Sequence, residues 1–124
     1  MNQAVHAEAF LDLEIRISPQ HSGAYPVELI AGGEQSFRGK MDAGLAPAVL
    51  FPEDPIAAGE ALFEALAASD DLRRGWAQAI GRSQKRRVRL NIDPAAPELH
   101  KLPWELLRAG GEWLAASAAT PFSR

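Results

Sequence analysis

Alternation of apolar and polar residues predicts the first strand of this chain. In "FLDLEIRI" (residues 10–17) every second position is apolar, at Leu11, Leu13, Ile15 and Ile17. A period of two over this length is typical of a strand with one buried face. "YPVELI" (25–30) and "EQSFRGKM" (34–41) predict two more strands, and Gly32 and Gly33 between them favour a tight hairpin turn. We therefore expect an antiparallel β-meander over residues 10–41, preceded by a flexible tail at 1–9.

Residues 54–81 follow a helical period instead and predict a pair of helices. Asp54 is suited to cap the first helix, because the proline that follows it is favoured in a first helical turn. The apolar stripe of this helix is expected at Ile56, Leu62, Phe63 and Leu66. In the second helix the stripe is expected at Leu72, Trp76 and Ile80, and Gly81 fits its C-terminal cap. The Gly- and Pro-rich stretch at 41–54 predicts a loop.

The C-terminal third returns to a period of two and then bends. In "RRVRLNID" (86–93) Val88, Leu90 and Ile92 are expected to face inward, and Arg87, Arg89 and Asn91 outward. Residues 98–102 predict one helical turn that Pro103 ends, because proline lacks an N–H donor and clashes with the preceding turn. A diglycine at 110–111 then reverses the chain into a short final strand. We expect this strand, bend and final strand to occupy residues 86–117.

The order of these elements predicts an α+β fold. We expect an antiparallel or mixed sheet of about five strands, with two helices packed on one face. The connection through both helices is long enough for a crossover, so the strand at 88–92 can lie parallel to a neighbour. The 124 residues predict a single domain, and 47% apolar with 23% charged residues is typical of a soluble globular protein.

Several classes of chemistry are excluded or unsupported by the residues present. The chain has no cysteine, which excludes disulfides and a cysteine nucleophile within it. Its three histidines have no metal-ligand spacing, and the phosphate-loop, dinucleotide and serine-hydrolase motifs are missing. We therefore expect a non-enzyme with no catalytic residue, metal site or cofactor. Because no leader pattern or apolar run of about 20 residues is visible, we expect a cytoplasmic protein without membrane contact.

One electrostatic feature stands out, the basic run "RSQKRRVRL" at residues 82–90. Its cationic residues are the candidate partner-binding residues: Arg82, Lys85, Arg86, Arg87 and Arg89. They are either a solvated loop and strand face or a surface that binds an anionic partner, such as an acidic protein segment. Nucleic acid is the lesser alternative, because the net charge is −3 and no aromatic residues are interleaved with the run.

The sequence at 88–124, "VRLNIDPAAPELHKLPWELLRAGGEWLAASAATPFSR", carries a recognisable pattern. It resembles the segment at the front of bacterial CHAT-type proteins, caspase-like peptidases that are often associated with tetratricopeptide repeats. In those proteins a strand ending near Asp-Pro precedes an E-L-x-x-L-P-W-E-L-L motif, a short strand and a T-P-x-x-R stretch. The motif residues, which we expect to be mainly structural, are Asp93, Pro94, Leu102, Pro103, Trp104 and Glu105.

The resemblance implies an accessory role, because the His and Cys dyad of such peptidases lies downstream of this segment. None of the family's catalytic residues can be carried over to this chain. The implied function is a non-catalytic protein-interaction or regulatory module of a caspase-like effector in bacterial conflict or stress signalling. Its partner would be the peptidase domain or an adaptor protein, in cis or in trans. The alternative is a nucleic-acid-sensing module that uses the 82–89 basic run.

The bend itself carries a structural expectation. We expect Pro103 to end the short helix so that Trp104 turns into the core beside the strand at 88–92. We expect Glu105 to be a buried carboxylate that is hydrogen-bonded to a backbone amide or an arginine, which would fix the geometry of the bend.

Overall fold

The first three strands form the predicted antiparallel meander. The computed structural model describes residues 11–50, 53–82, 86–113 and 122–123, so the predicted tail at 1–9 lies outside the described residues. The strands are β1 (Leu11–Ile17), β2 (Ala24–Ala31) and β3 (Gln35–Asp42). β2 pairs antiparallel with both β1 and β3. The apolar positions of β1 at 13, 15 and 17 are buried, as the period of two predicted.

Three helices follow the meander. They are α1 (Pro47–Leu50), α2 (Pro55–Leu66) and α3 (Asp70–Arg82), and the short α1 lies where the sequence predicted only a loop. Asp54 caps α2, because its Oδ1 accepts hydrogen bonds from the backbone N–H groups of Ile56 (3.0 Å) and Ala57 (3.3 Å). No helix in the described part of the chain is long and apolar enough to span a membrane.

The buried faces of α2 and α3 differ from the predicted apolar stripes. Ile56 and Ile80 were expected in the core, but they are 48% and 41% exposed. The buried residues of the two helices are Ala58, Gly59, Leu62 and Leu66 in α2, and Leu72, Gly75, Trp76 and Ala79 in α3. Small residues form much of both faces, so the helices pack closely and turn the bulkier isoleucines toward solvent. The predicted cap at Gly81 is also wrong, because α3 continues to Arg82.

Close packing of α3 on β3 depends on Gly75. A Cβ atom at Gly75 would overlap the ring of Phe37, so only glycine permits this separation. The start of α3 is also hydrogen-bonded to the strand: the Arg38 N–H donates to Asp71 Oδ2 (2.8 Å) and the Lys40 N–H to Ser69 Oγ (3.0 Å). These bonds satisfy backbone donors on an edge strand that would otherwise be open to pairing with another chain.

The crossover through α2 and α3 delivers a strand that lies parallel to β1. This strand is β4 (Arg86–Ile92), and it places Val88 opposite Leu13 and Leu90 opposite Ile15. A short strand, β7 (Phe122–Ser123), pairs in parallel with β4 and was not predicted. The strand order is β3-β2-β1-β4-β7. The predicted α+β class, with a mixed sheet and its helices on one face, is therefore confirmed.

The segment between β4 and β7 contains the predicted bend. Two 3₁₀ helices, Pro97–Lys101 and Trp104–Leu106, flank Pro103, and a hairpin of β5 (Arg108–Ala109) and β6 (Glu112–Trp113) follows. Gly110 and Gly111 make the hairpin turn with φ angles of 60° and 81°. The predicted final strand is thus present at its start, while residues 114–117 lie outside the described residues.

Trp104 occupies the interior of this segment. Its side chain is 0% exposed, and its indole N–H donates to the carbonyl oxygen of Leu99 at 2.7 Å. Burial of a large aromatic side chain together with a partner for its polar N–H is the usual arrangement in protein cores. The expectation that Trp104 lies in the core is confirmed.

Candidate functional site

The outer face of the sheet is polar and open to solvent, because the helices cover the opposite face. Side chains alternate along each strand, so the apolar residues of β1 and β4 face the helices and the charged ones face outward. The parallel register pairs these outward residues in three rows: Asp12 with Arg87, Glu14 with Arg89, and Arg16 with Asn91. Arg87 and Arg89 are exposed on this face, where the sequence placed them.

Arg87 forms an ion pair with the carboxylate opposite it. Its Nη1 lies 3.7 Å from Asp12 Oδ1, and the two side chains are 55% and 70% exposed. An ion pair this exposed contributes little to stability, because water screens it and both side chains lose freedom. Both groups therefore remain accessible to a partner.

Glu14 is held by two neighbours on the same face. Arg16 Nε donates to Glu14 Oε2 at 2.9 Å, and Asn91 Nδ2 donates to the same oxygen at 3.2 Å. The Arg16 hydrogen bond is the main reason that the pKa of Glu14 lies below its ordinary value, and the charge of Arg89 acts in the same direction. Arg89 itself makes no ion pair within 4 Å with any described residue.

Arg82 reaches the same region from the end of α3. Its Nη1 donates to Gln35 Oε1 at 2.9 Å, and its guanidinium lies beside the turn between β2 and β3. That turn contains Gly32 and Gly33, with φ angles of 65° and 75°, and the Gly32 N–H donates to the carbonyl oxygen of Asp12. The turn is thereby fixed between Arg82 and β1.

A shallow cleft of about 310 Å³ lies on the outer face beside this turn. We call it the turn cleft, and its lining includes Asp12, Glu14, Ile30, Gly32, Arg87 and Arg89. Residues from distant parts of the sequence meet here, because β1 lies between β2 and β4 in the sheet. The structure thus brings Arg87 and Arg89 together at one concave surface and places Arg82 behind its turn.

Two of the candidate basic residues are not part of this surface as described. Arg86 was expected to continue the outward patch, but it is only 8% exposed. It is the first residue of β4, and side-chain alternation places it on the inner face with Val88. Lys85 lies outside the described residues.

The motif residues have structural positions around the end of β4. The Asp93 N–H donates to the Ile17 carbonyl oxygen (3.0 Å), and its Oδ1 accepts from the Ala95 N–H (2.8 Å), so Asp93 ends the strand beside an exposed Pro94. Leu102 is buried and Pro103 is half-buried. Glu105 is exposed, so the expectation of a buried carboxylate at the bend is wrong. Glu105 follows Trp104 in a short 3₁₀ helix, so its side chain points outward while the indole points inward.

A contact that the sequence did not predict ties this segment to the sheet. The Tyr25 hydroxyl donates to Glu98 Oε2 at 2.8 Å and joins β2 to the first 3₁₀ helix. This hydrogen bond is the main reason that the pKa of Glu98 lies below its ordinary value. The pKa of Tyr25 is raised, mainly because its side chain is buried and also because it is bonded to Glu98. No local pattern carries such a contact, because the two residues are distant in sequence.

The Tyr25–Glu98 bond predicts an acid-sensitive contribution to stability. The pKa of Glu98 is lower in the folded state than in the unfolded chain. The stabilisation by this bond is therefore fully present above the unfolded-state pKa of about 4.3, and it is lost as the pH falls through the folded-state pKa. Tyr25→Phe should remove it, so the stability difference between wild type and variant should shrink on acidification. Urea unfolding of both proteins between about pH 3 and 7 measures this difference. A difference that is constant with pH would contradict the prediction.

Neither the search for metal-ligand geometry nor the comparisons with known proteins indicate a function. Within the described ranges, no group of three or more His, Cys, Asp or Glu side chains could hold a metal ion. Comparisons with protein-family models, curated proteins and solved structures found no match. The functional indication that remains is geometric: exposed guanidinium groups beside a shallow cleft can bind anionic groups.

Proposed function

We propose that this chain is a non-catalytic protein-interaction or regulatory module that acts with a caspase-like peptidase in a bacterial conflict or stress-signalling system. The observation that supports the proposal best is the turn cleft, with Arg87 and Arg89 exposed at a concave surface. The resemblance of residues 88–124 to the segment before a CHAT peptidase core supplies the class of partner. That partner is the peptidase domain or an adaptor protein, in cis or in trans.

A binding role accounts for the chemistry of the outer face better than a catalytic one. Cleavage by a caspase-like mechanism needs a cysteine nucleophile, and the chain contains none. The charged side chains of the face pair with neighbours on the same face: Arg16 pairs with Glu14 along β1, and Arg87 of β4 pairs with Asp12 of β1. Such a surface presents a pattern of charge that a complementary surface can recognise.

Folding alone gives weak reason to gather arginines at this cleft. Exposed ion pairs return little stability, and close like charges repel. A cationic surface does increase the rate at which an acidic partner is captured, because long-range attraction guides the encounter. We therefore propose that these arginines steer the partner and affect the association rate more than the final affinity.

Charge reversal of the two cleft arginines tests this function. The double variant Arg87→Glu/Arg89→Glu should stay folded because both side chains are exposed, although its unfolding midpoint should fall modestly, since each glutamate stands opposite an acidic residue in the strand register. At low salt it should associate at least about tenfold more slowly with a peptidase or adaptor encoded beside this chain. Stopped-flow or surface-plasmon measurements give the rate.

The matched control is Arg73→Glu/Arg74→Glu on the exposed surface of α3. It makes the same change in net charge without touching the outer face of the sheet. Association at the wild-type rate by a folded cleft variant would show that the arginines are only a solvated surface. Slowing by both variants alike would show a general charge effect and would count against docking at the cleft.

A further inference from the structure

We propose that the turn cleft anchors a single acidic side chain of the protein partner, and that Arg89 is the group that binds it. This inference rests on the proposed function, because it assumes that the partner is a protein. It goes further by naming the anchoring residue and the chemistry of the partner residue that occupies the cleft.

The distribution of ion pairs on the outer face singles out Arg89. Three acidic residues of this face have a cationic neighbour: Asp12 has Arg87, Glu14 has Arg16, and Glu28 has Arg38. Arg89 stands opposite Glu14, whose Oε2 already accepts bonds from Arg16 and Asn91. With no ion pair to a described residue, the Arg89 guanidinium retains its capacity to bind a carboxylate.

Arg82 strengthens the positive potential at the same place. Its described hydrogen-bond partner is the neutral amide of Gln35, so its charge is not cancelled by that contact. The guanidinium lies beside Gly32, which also lines the cleft. An incoming anion would thus meet Arg89 inside the cleft and a second cation behind the turn.

The shape of the cleft favours a side chain of a macromolecule over a free small molecule. Its volume of about 310 Å³ is at the lower end of small-molecule pockets, which enclose most of their ligand. Here Asp12 and Arg87 on the rim are more than half exposed, so a free ligand would stay largely in water. A residue on a protein surface does not need that enclosure, because the surrounding interface excludes water.

The residues around Arg89 favour one carboxylate over a phosphate backbone. Asp12 and Glu14 line the same cleft and would repel the successive charges of a nucleic acid. A glutamate flanked by aliphatic residues brings only one negative charge and so meets less of this repulsion, and its aliphatic neighbours can contact Ile30 on the cleft lining. Gly33 has open space around it, so a partner backbone can approach the turn closely.

The test is an NMR titration of the full ¹⁵N-labelled chain with defined probes. The first probe is a capped peptide, Ser-Val-Glu-Val-Ser, and the second replaces its glutamate with glutamine. A single-stranded oligothymidylate is the third. We expect the glutamate peptide alone to shift the amide signals of Gly32, Gly33 and Arg89.

Three variants assign the effect to one arginine. Arg89→Gln should raise the dissociation constant of the glutamate peptide at least about tenfold, as loss of a charge-assisted bond requires. Arg38→Gln is the matched control, since Arg38 is an exposed arginine of the same face on β3, and it should leave the constant unchanged. Arg89→Lys keeps the charge but not the guanidinium fork and should give an intermediate value.

Three results would overturn the inference. They are equal shifts from the glutamine peptide, equal weakening of peptide binding by Arg38→Gln, and tighter, steeply salt-dependent binding of the oligonucleotide at Arg89.

The inference and the proposed function can fail separately. Peptide binding at Arg89 without association to any peptidase would overturn only the function, and arginine-dependent peptidase capture without peptide binding would overturn only the anchor.

Discussion

Replacing Trp104 with alanine should lower the free energy of unfolding by about 3–5 kcal/mol, the range seen when large aromatic side chains are removed from cores. Trp104 is fully buried, and its indole N–H donates to the Leu99 carbonyl oxygen. Alanine would leave a cavity at the junction of the two 3₁₀ helices and would remove that donor. The loss is large because Pro103 and the short helices around it restrict how far the backbone can collapse into the cavity.

Urea denaturation measures this loss of unfolding free energy. The loss follows from the shift in the unfolding midpoint when the dependence of the free energy on urea concentration is the same in both proteins. Trp104→Phe should cost less, since it keeps a ring in the site and lacks only the N–H and part of the volume. Ile80→Ala is the control for an apolar side chain that is 41% exposed, and it should change stability by only about 0.5 kcal/mol. A loss below about 1 kcal/mol for Trp104→Ala would place the indole outside the core.

Strands β1 and β4 could be predicted because each one has a buried and an exposed face. The apolar alternation of β1 and of β4 places Leu13 and Val88 inward, and the structure pairs these two residues in its parallel register. The same alternation placed Arg87 and Arg89 outward correctly. A period of two contains this information because neighbouring side chains point to opposite faces of a sheet.

The helix faces could be predicted only in part. The spacing of large apolar residues placed Ile80 inward, whereas Ala79 is buried instead. The orientation of α3 is set by how closely Gly75 lets it approach the Phe37 ring on β3. That distance depends on a tertiary contact between α3 and β3. The spacing of apolar residues along one helix therefore cannot predict which face of the helix is buried.

The candidate site was predicted only in part. One residue was misplaced, and the cleft depends on contacts between strands that no local sequence pattern contains. Arg86 was misplaced because it was grouped with the exposed basic run, although side-chain alternation counted from Val88 puts it on the inner face. The turn cleft itself needs β1, the turn at Gly32 and β4 side by side. Because the cleft joins residues from distant parts of the sequence, only the strand order reveals which arginines share it.

Gly59→Ala should destabilise the chain, although alanine is the better helix former by about 1 kcal/mol. Gly59 lies on the buried face of α2, and a Cβ atom there would overlap the carbonyl oxygen of Leu106. That oxygen belongs to the backbone of the segment that follows Trp104, so it cannot move aside as a flexible side chain can. Overpacking of this kind costs about 1–3 kcal/mol, and more where backbone must shift, which exceeds the gain in helix propensity.

Gly81→Ala in α3 is the matched control, because the space around a Cβ atom at Gly81 is open. Gly81→Ala should raise the free energy of unfolding by up to about 1 kcal/mol, while Gly59→Ala lowers it, so the two substitutions should differ in sign. Stabilisation by both would mean that α2 does not contact the Leu106 backbone. The Gly59→Ala loss should also be smaller in a Trp104→Ala background. The cavity there lets the segment carrying Leu106 yield, and coupled sites of this kind are not additive.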